Sequence, residues 1–129
     1  MNLSDLIGRP VPFADYLGIR IVEIQPGLAR LDLPVRPELE NSHGAVHGGV
    51  VSALADVALA VAAIAQDGHC HGAFTIDLSV SFIGPGKGTL VAEGRCLRAG
   101  KSLAFSEGEV RDAHGNLVAK AIGSFKFKR

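Results

Sequence analysis

Asn41-Ser42-His43-Gly44-Ala45-Val46-His47-Gly48-Gly49 runs straight into Val50–Ala65, and this stretch decides the fold. From Val50 to Ala65 every residue is apolar except Ser52 and Asp56. A helix apolar on every side is expected to be buried on every side, so other elements must enclose it. Sixteen residues with a carboxylate among them fall short of the roughly 20 apolar residues that a bilayer span needs. The expected enclosure is a sheet wrapped around the helix or a partner chain pressed against it. Asp56 is then a buried carboxylate, which must find a partner or shift its pKa. Upstream, His47, Gly48 and Gly49 open the helix, where backbone N–H groups lack intrahelical acceptors and favour an electron-rich atom. A bare donor end and a buried acid on one helix are the ingredients of an acyl-transfer site.

Working outward, the flanks supply the sheet. Ser4–Gly8 and Pro12–Gly18 read as two short helical pieces that each stop at a glycine. Ile19–Gln25 and Leu28–Leu33 read as strands around a Pro26-Gly27 turn, with Ala29, Leu31 and Leu33 on one face. Pro34 and Pro37 end the second strand. After the helix, Gln66–His69 is a loop. In Thr75–Phe82, Ile76, Leu78, Val80 and Phe82 alternate with Thr75, Asp77, Ser79 and Ser81. Thr89–Arg98, Leu103–Asp112 and Leu117–Phe127 follow as strands across short glycine-bearing turns. The predicted order is β-β-α-β-β-β-β, with the last four strands an antiparallel meander. The pattern alone gives an α+β class: one curved antiparallel sheet of about six strands around one long central helix.

Composition narrows the partners. A chain of 129 residues is expected to form a single domain with a core of its own. Its formal net charge is zero and it has no Trp, which points away from nucleic acid and anionic membranes. Cys70 and Cys96 make no disulfide framework, so a reduced, cytoplasmic setting is expected. The first residues show no basic stretch followed by an apolar one, so no signal peptide is expected. His43 and His47 have a spacing that ligates metal on a helix, but glycines surround the pair and no His-Glu-x-x-His pattern is present; no metal is expected. Gly84-Pro85-Gly86-Lys87-Gly88 lacks the Gly-Lys-Ser/Thr of a phosphate-binding loop.

Asn41-x-x-Gly44-x-x-His47-Gly48-Gly49, followed by Asp56, resembles the signature of the PaaI-type acyl-CoA thioesterases of the phenylacetate-degradation branch, whose fold is the hotdog. Phe13-x-x-x-Leu17-Gly18 with Val22-Glu23-Ile24-x-Pro26-Gly27 resembles that family's entry segment. Phe74–Leu78 resembles the strand after its helix, and Arg98-x-Gly100-Lys101-Ser102-Leu103-Ala104-Phe105 the following hairpin. The resemblance implies hydrolysis of an aromatic or medium-chain acyl-CoA to free acid and coenzyme A, with no cofactor beyond the coenzyme A of the substrate. It implies Asp56 as general base or nucleophile and the Gly48 N–H as donor to the thioester oxygen. It implies that Asn41 and His47 shape the pocket and that Thr75 helps orient the attacking water. Gly49, Arg98, Lys101, Ser102 and Lys87 are the candidate contacts to substrate and coenzyme A.

Each residue also has a plainer reading. Asp56 reads as a structural carboxylate, Gly48 and Gly49 as a packing device, Asn41 and His47 as loop hydrogen bonders, and the cations as solvated turns. Two other functions fit the same pattern: a hotdog dehydratase or hydratase, and a module that binds acyl-CoA without turnover. Gly48 and Asp56 are eight residues apart, about 12 Å along one helix axis, too far for one chain to bring both to one carbonyl. Two antiparallel helices about a two-fold axis would do so, which agrees with the homodimer, or dimer of dimers, that the resemblance implies.

Overall fold

The α3 helix, Gly48–Asp67, lies across a single six-stranded antiparallel sheet in a computed structural model that describes residues 1–129. The elements before it are α1 (Leu3–Ile7), α2 (Pro12–Leu17), β1 (Arg20–Gln25) and β2 (Leu28–Pro34). After it come β3 (Gly72–Phe82), β4 (Thr89–Ala99), β5 (Leu103–Arg111) and β6 (Leu117–Lys128). This is the hotdog fold, an α+β arrangement. Gly8 and Gly18 end the two short helices in left-handed conformations at φ 80° and 86°, as their positions predict. Ala29, Leu31 and Leu33 face inward with no exposed surface.

At 20 residues, α3 runs longer than expected because Gln66 and Asp67 stay helical before Gly68 caps it. By length and composition such a helix would suffice for a bilayer span. Here ten of its residues are buried, packed across the strands of the sheet. The burial is one-sided, against the expectation. Ser52, Ala53, Asp56, Val57 and Ala60 form a half-exposed stripe, because the sheet curves around only part of the helix.

The strand order is β1-β2-β4-β5-β6-β3, which corrects the four-strand meander. Only β4, β5 and β6 follow one another; β3 lies beyond β6 at the edge. The connection after β3 is short, but it crosses the end of the curved sheet instead of turning back as a hairpin. Along the way Ile83 and Gly84 N–H groups donate to the Val118 carbonyl at 2.8 and 3.2 Å. Gly86 then accepts from Val46 N–H at 2.9 Å, and Gly88 from Val35 N–H at 3.3 Å. The inward alternation expected of β3 is also incomplete. A bulge at Ile76 breaks the register, and Ile76 and Phe82 remain 56% and 58% exposed.

The outer sheet face is polar. Arg30 bridges Glu23 and Glu93, and Arg95 bridges Glu93 and Glu109. Such half-exposed pairs add little stability, but they mark the face that stays in water. On the inner face, close approach to α3 depends on glycine. A Cβ on Gly94 would overlap the Ala58 carbonyl, whose carbon lies 2.7 Å away, and reach within 3.0 Å of Leu59 N. These are backbone atoms and cannot swing aside. Gly94→Ala is expected to cost about 1–3 kcal/mol, seen as a Tm several degrees lower. Gly100→Ala, where the nearest atom is 3.6 Å away, should leave Tm unchanged. Equal Tm values for the two variants would contradict this account of helix seating.

Candidate active site

The segment before α3 is built to present the helix start. Asn41 Oδ1 accepts from His43 N–H at 2.8 Å and Ala45 N–H at 3.2 Å, and Asn41 N–H donates to the Ala45 carbonyl at 2.7 Å. Gly44 makes the turn at φ 77°. The base of this small loop is clamped where His47 N–H donates to the Leu39 carbonyl at 2.8 Å. The side-chain oxygen of Asn41 therefore organises the loop, and its amide N–H₂ has no partner in the chain.

His47 is the N-cap of α3. Its Nδ1 accepts from Gly49 N–H at 2.8 Å, which leaves Nε2 to carry the proton of the neutral ring. Its carbonyl takes Val50 N–H at 2.9 Å and Val51 N–H at 3.2 Å. With those donors occupied, the Gly48 N–H is left without an intramolecular partner at the positive end of the helix dipole. A Cβ at Gly48 would lie 3.3 Å from the ring of Phe82, so the glycine also lets that ring close over the helix start. Asn41, Gly48 and Phe82 line a cleft of about 350 Å³ with the Gly84–Gly86 connection. His43 sits in the turn before the helix, so the helical spacing of a His43–His47 metal pair is not realised.

Asp56 stands two turns into α3 and is half-buried. Thr75, on the inner face of β3, donates its hydroxyl to Asp56 Oδ1 at 2.6 Å. The Asp56 Oδ2 has no partner in the chain. Burial pushes the Asp56 pKa above the usual aspartate value, and the Thr75 hydrogen bond partly opposes it. The pair opens into a second cavity of about 310 Å³ between α3, the first half of β3 and the α1–α2 segment.

Of the residues singled out in the sequence, two groups are thus assembled: Asn41, His47, Gly48 and Gly49 at the helix start, and Asp56 with Thr75 deeper in. The two groups open into separate cavities. The cations do not form one cluster. Lys87 lies in the β3–β4 connection beside the helix start, and Arg98 follows a bulge in β4. Lys101 and Ser102 sit in the β4–β5 turn, where their carbonyls hold Arg129 and Phe127 N–H, near the far end of α3. Phe82 and the apolar side of the α1–α2 segment, Leu3, Ile7 and Val11, are parts of the two cavities that the sequence reading did not single out. The spacing of Leu3, Leu6 and Ile7 was the available signal for the latter, since it gives a short helix one apolar face.

A family model described as the thioesterase superfamily matches residues 43–119. A protein of Saccharolobus solfataricus that bears the name of an esterase is 31% identical over 115 residues, covering 88% of this chain and 81% of its own. The chain belongs to the thioesterase superfamily. Among solved structures, the conserved protein PA5202 of Pseudomonas aeruginosa superposes with a TM-score of 0.85 at 27% identity, over 97% of this chain and 98% of that one. The Escherichia coli PaaI protein of the phenylacetic acid degradation operon superposes at 0.84 with 27% identity, over 92% of this chain and 86% of its own. Membership of this superfamily and the esterase name of the Saccharolobus relative support a hydrolase.

The raised Asp56 pKa has a consequence for stability. A carboxyl whose folded pKa lies above its unfolded value stabilises the fold when protonated, and that contribution is lost as pH rises through the folded pKa. Asp56→Asn stays uncharged and still accepts the Thr75 hydroxyl. Its Tm at pH 7 is expected to equal or exceed that of the wild type, with the gap closing in acid. A variant that is less stable at pH 7, or a gap independent of pH, would show that ionised Asp56 is not under strain.

Proposed function

We propose that this protein is an acyl-CoA thioesterase of the PaaI type, acting as a homodimer or a dimer of dimers on aromatic or medium-chain acyl-CoA. The observation that carries the reading is the division of one catalytic set into two half-sites. A free Gly48 N–H lies at the helix start, and an Asp56–Thr75 pair lies about 12 Å further along the same axis. A second copy placed antiparallel sets its Asp56 beside this chain's Gly48. Two features support that arrangement. The small-residue stripe of α3 is half-exposed, and β3 presents an unpaired edge with Phe74, Ile76 and Phe82 exposed, the kind of edge that pairs with another strand.

In the composite site the thioester oxygen accepts from the Gly48 N–H, whose dipole stabilises the charge that develops there. Thr75 holds Asp56 by Oδ1 and leaves Oδ2 to take a proton from water as the water attacks the carbonyl carbon. In the nucleophilic variant Oδ2 itself attacks, and water then hydrolyses the acyl-Asp56 anhydride. Either way the C–S bond breaks, coenzyme A leaves as a thiol and the acyl group as the acid. The placement of His47 ahead of α3 with Asp56 well inside it supports this reading over a hydratase. Single-turnover hydrolysis in ¹⁸O water tests the nucleophilic route, because an unlabelled acid product with ¹⁸O in Asp56 arises only when water attacks the Asp56 carboxyl carbon of the anhydride.

Asp56→Asn is expected to lower kcat by roughly 10²–10⁴-fold with the fold intact, read by thiol release from a panel of acyl-CoAs. Wild-type turnover in this variant would end the assignment. Product mass separates hydration from hydrolysis, and saturable binding without turnover would mark a binding module.

Complementation tests the shared site. Asp56→Asn is co-expressed with the double variant Asn41→Ala, His47→Ala, each nearly inactive alone. In a mixed dimer one site carries both lesions and the other carries none. With random pairing, activity should return to roughly a quarter of wild type. Confirmed mixed dimers without recovery would place each site within one chain.

A further inference from the structure

The cavity that begins at Asp56 extends well beyond it. Along α3 its wall runs from Asp56 to Ile64, eight residues or about 12 Å. Along β3 it runs from Thr75 back to Gly72, three residues or about 10 Å. The two measures agree, so the cavity is a slot parallel to both elements, with the Asp56–Thr75 pair at one end. The apolar side chains on its wall are aliphatic: Val57, Ala60 and Ile64 from α3, Ala73 from β3, and Ile7 and Val11 from the α1–α2 segment. Ala73 faces inward because it pairs with buried Phe127, as Thr75 pairs with buried Phe125. Phe74, between them, turns to the outer face and is 60% exposed, so its ring stays out of the slot.

In the composite site the thioester carbon lies between Asp56 of one copy and Gly48 of the other, so one cavity takes the acyl group and the other takes the coenzyme A arm. Their chemistry differs. The cleft at the helix start offers the unpartnered amide N–H₂ of Asn41, with His43 on its wall. The pantetheine arm carries two amides, which an aliphatic wall would leave without partners. The cleft therefore suits the arm, and the slot suits the acyl group. Length then decides between acyl groups. With bonds of about 1.5 Å an extended chain advances about 1.3 Å per carbon, so a slot of about 10–12 Å holds about eight to ten carbons. A benzoyl or phenylacetyl group ends about half-way along and leaves Ile64 without partner atoms.

Resting on the thioesterase reading above, we propose that the slot seats an unbranched aliphatic acyl chain of about eight to ten carbons, and that Ala73 and Ile64 set the length accepted. Ala73 is the next inward residue of β3 before Thr75, about 7 Å along the strand, and its single methyl leaves the middle of the slot open. Ile64 stands at the end that a full-length chain reaches. Neither residue belongs to the half-exposed stripe of α3 through which two copies are proposed to meet, so replacing them leaves that contact alone.

The test is a chain-length series from butyryl- to lauroyl-CoA, with phenylacetyl-CoA beside it. On wild-type protein kcat/KM is expected to rise about fourfold per added methylene until the slot is full, and then to level off. Octanoyl-CoA should exceed phenylacetyl-CoA, its equal in acyl carbons, by about fourfold or more. Ala73→Leu narrows the slot half-way along and should move the break to chains about two carbons shorter. Ile64→Ala opens its end and should move the break about as far the other way; if that variant does not fold, Ile64→Val gives a smaller shift in the same direction. The same breaks are read as Kd by titration calorimetry on Asp56→Asn protein, where turnover plays no part. A series without a break, a preference for phenylacetyl- over octanoyl-CoA, or a break that neither residue moves overturns the proposal. Breaks in Kd that shift as expected, with no thiol release from any substrate, leave the slot assignment standing and overturn the hydrolytic reading instead.

Discussion

The contact between Gly94 and the Ala58–Leu59 backbone sets the geometry of this protein. Only a residue without a Cβ lets β4 reach the helix backbone there, and on β5 Gly108 likewise leaves no room for a Cβ, between the Glu93 backbone of β4 and the Leu59 side chain. Seating α3 this deeply turns Leu54, Ala55, Ala58, Leu59 and Ala62 into the sheet. The same rotation leaves Ser52, Asp56 and Ala60 on the side that the sheet does not reach. The direction in which Asp56 faces is thus a result of core packing two residues away. Its chemistry then follows from partial burial: enough apolar surroundings to raise its pKa, one hydroxyl to hold it, and one oxygen left free.

The start of the helix shows a comparable economy of donors. Four N–H groups at an α-helix start lack intrahelical acceptors. In α3 these belong to His47, Gly48, Gly49 and Val50: the His47 N–H donates to the Leu39 carbonyl, Gly49 N–H to the His47 ring and Val50 N–H to the His47 carbonyl, and Val51 makes the first regular helical bond. The donor that remains is the one belonging to Gly48. A helix start with all four donors open would offer a diffuse anion site. Capping three of them confines the donor to a single direction beside the Phe82 ring. The Asn41 loop bears on this indirectly, since its bonds and the His47–Leu39 bond fix where His47 enters the helix.

The sequence carried the central features because they are short-range. The apolar run, its glycine entry and the alternation in Leu28–Leu33 each depend on neighbours within a few residues. What it did not carry was adjacency. Alternation in Thr75–Phe82 shows that a strand has two faces but says nothing about which strand lies beside it, so β3 read as the first strand of a meander when it is an edge. Its exposed Phe82 follows from the same fact, since an inward-facing position at a sheet edge lacks the neighbour that would cover it, whereas Ile76 is the residue of the bulge, next to inward-facing Thr75. The candidate site was legible residue by residue. Its division into two cavities was legible only from the helix rise. Lys101 and Lys87 lie at opposite ends of α3, which no local pattern encodes.

The positions along α3 bear on the proposed assembly. If Gly48 of one copy lies opposite Asp56 of the other in an antiparallel pair, residue 52 lies midway and faces its own equivalent across the two-fold axis. That residue is Ser52, small and half-exposed, with Ala53 beside it and Ala60 further along the same face. Large side chains there would hold the helices apart and widen the distance from donor to acid. A charge there would face an identical charge across the axis. In that proposed assembly the two polar residues within the apolar run would have different roles: Asp56 in the chemistry, and Ser52 where two copies approach closely.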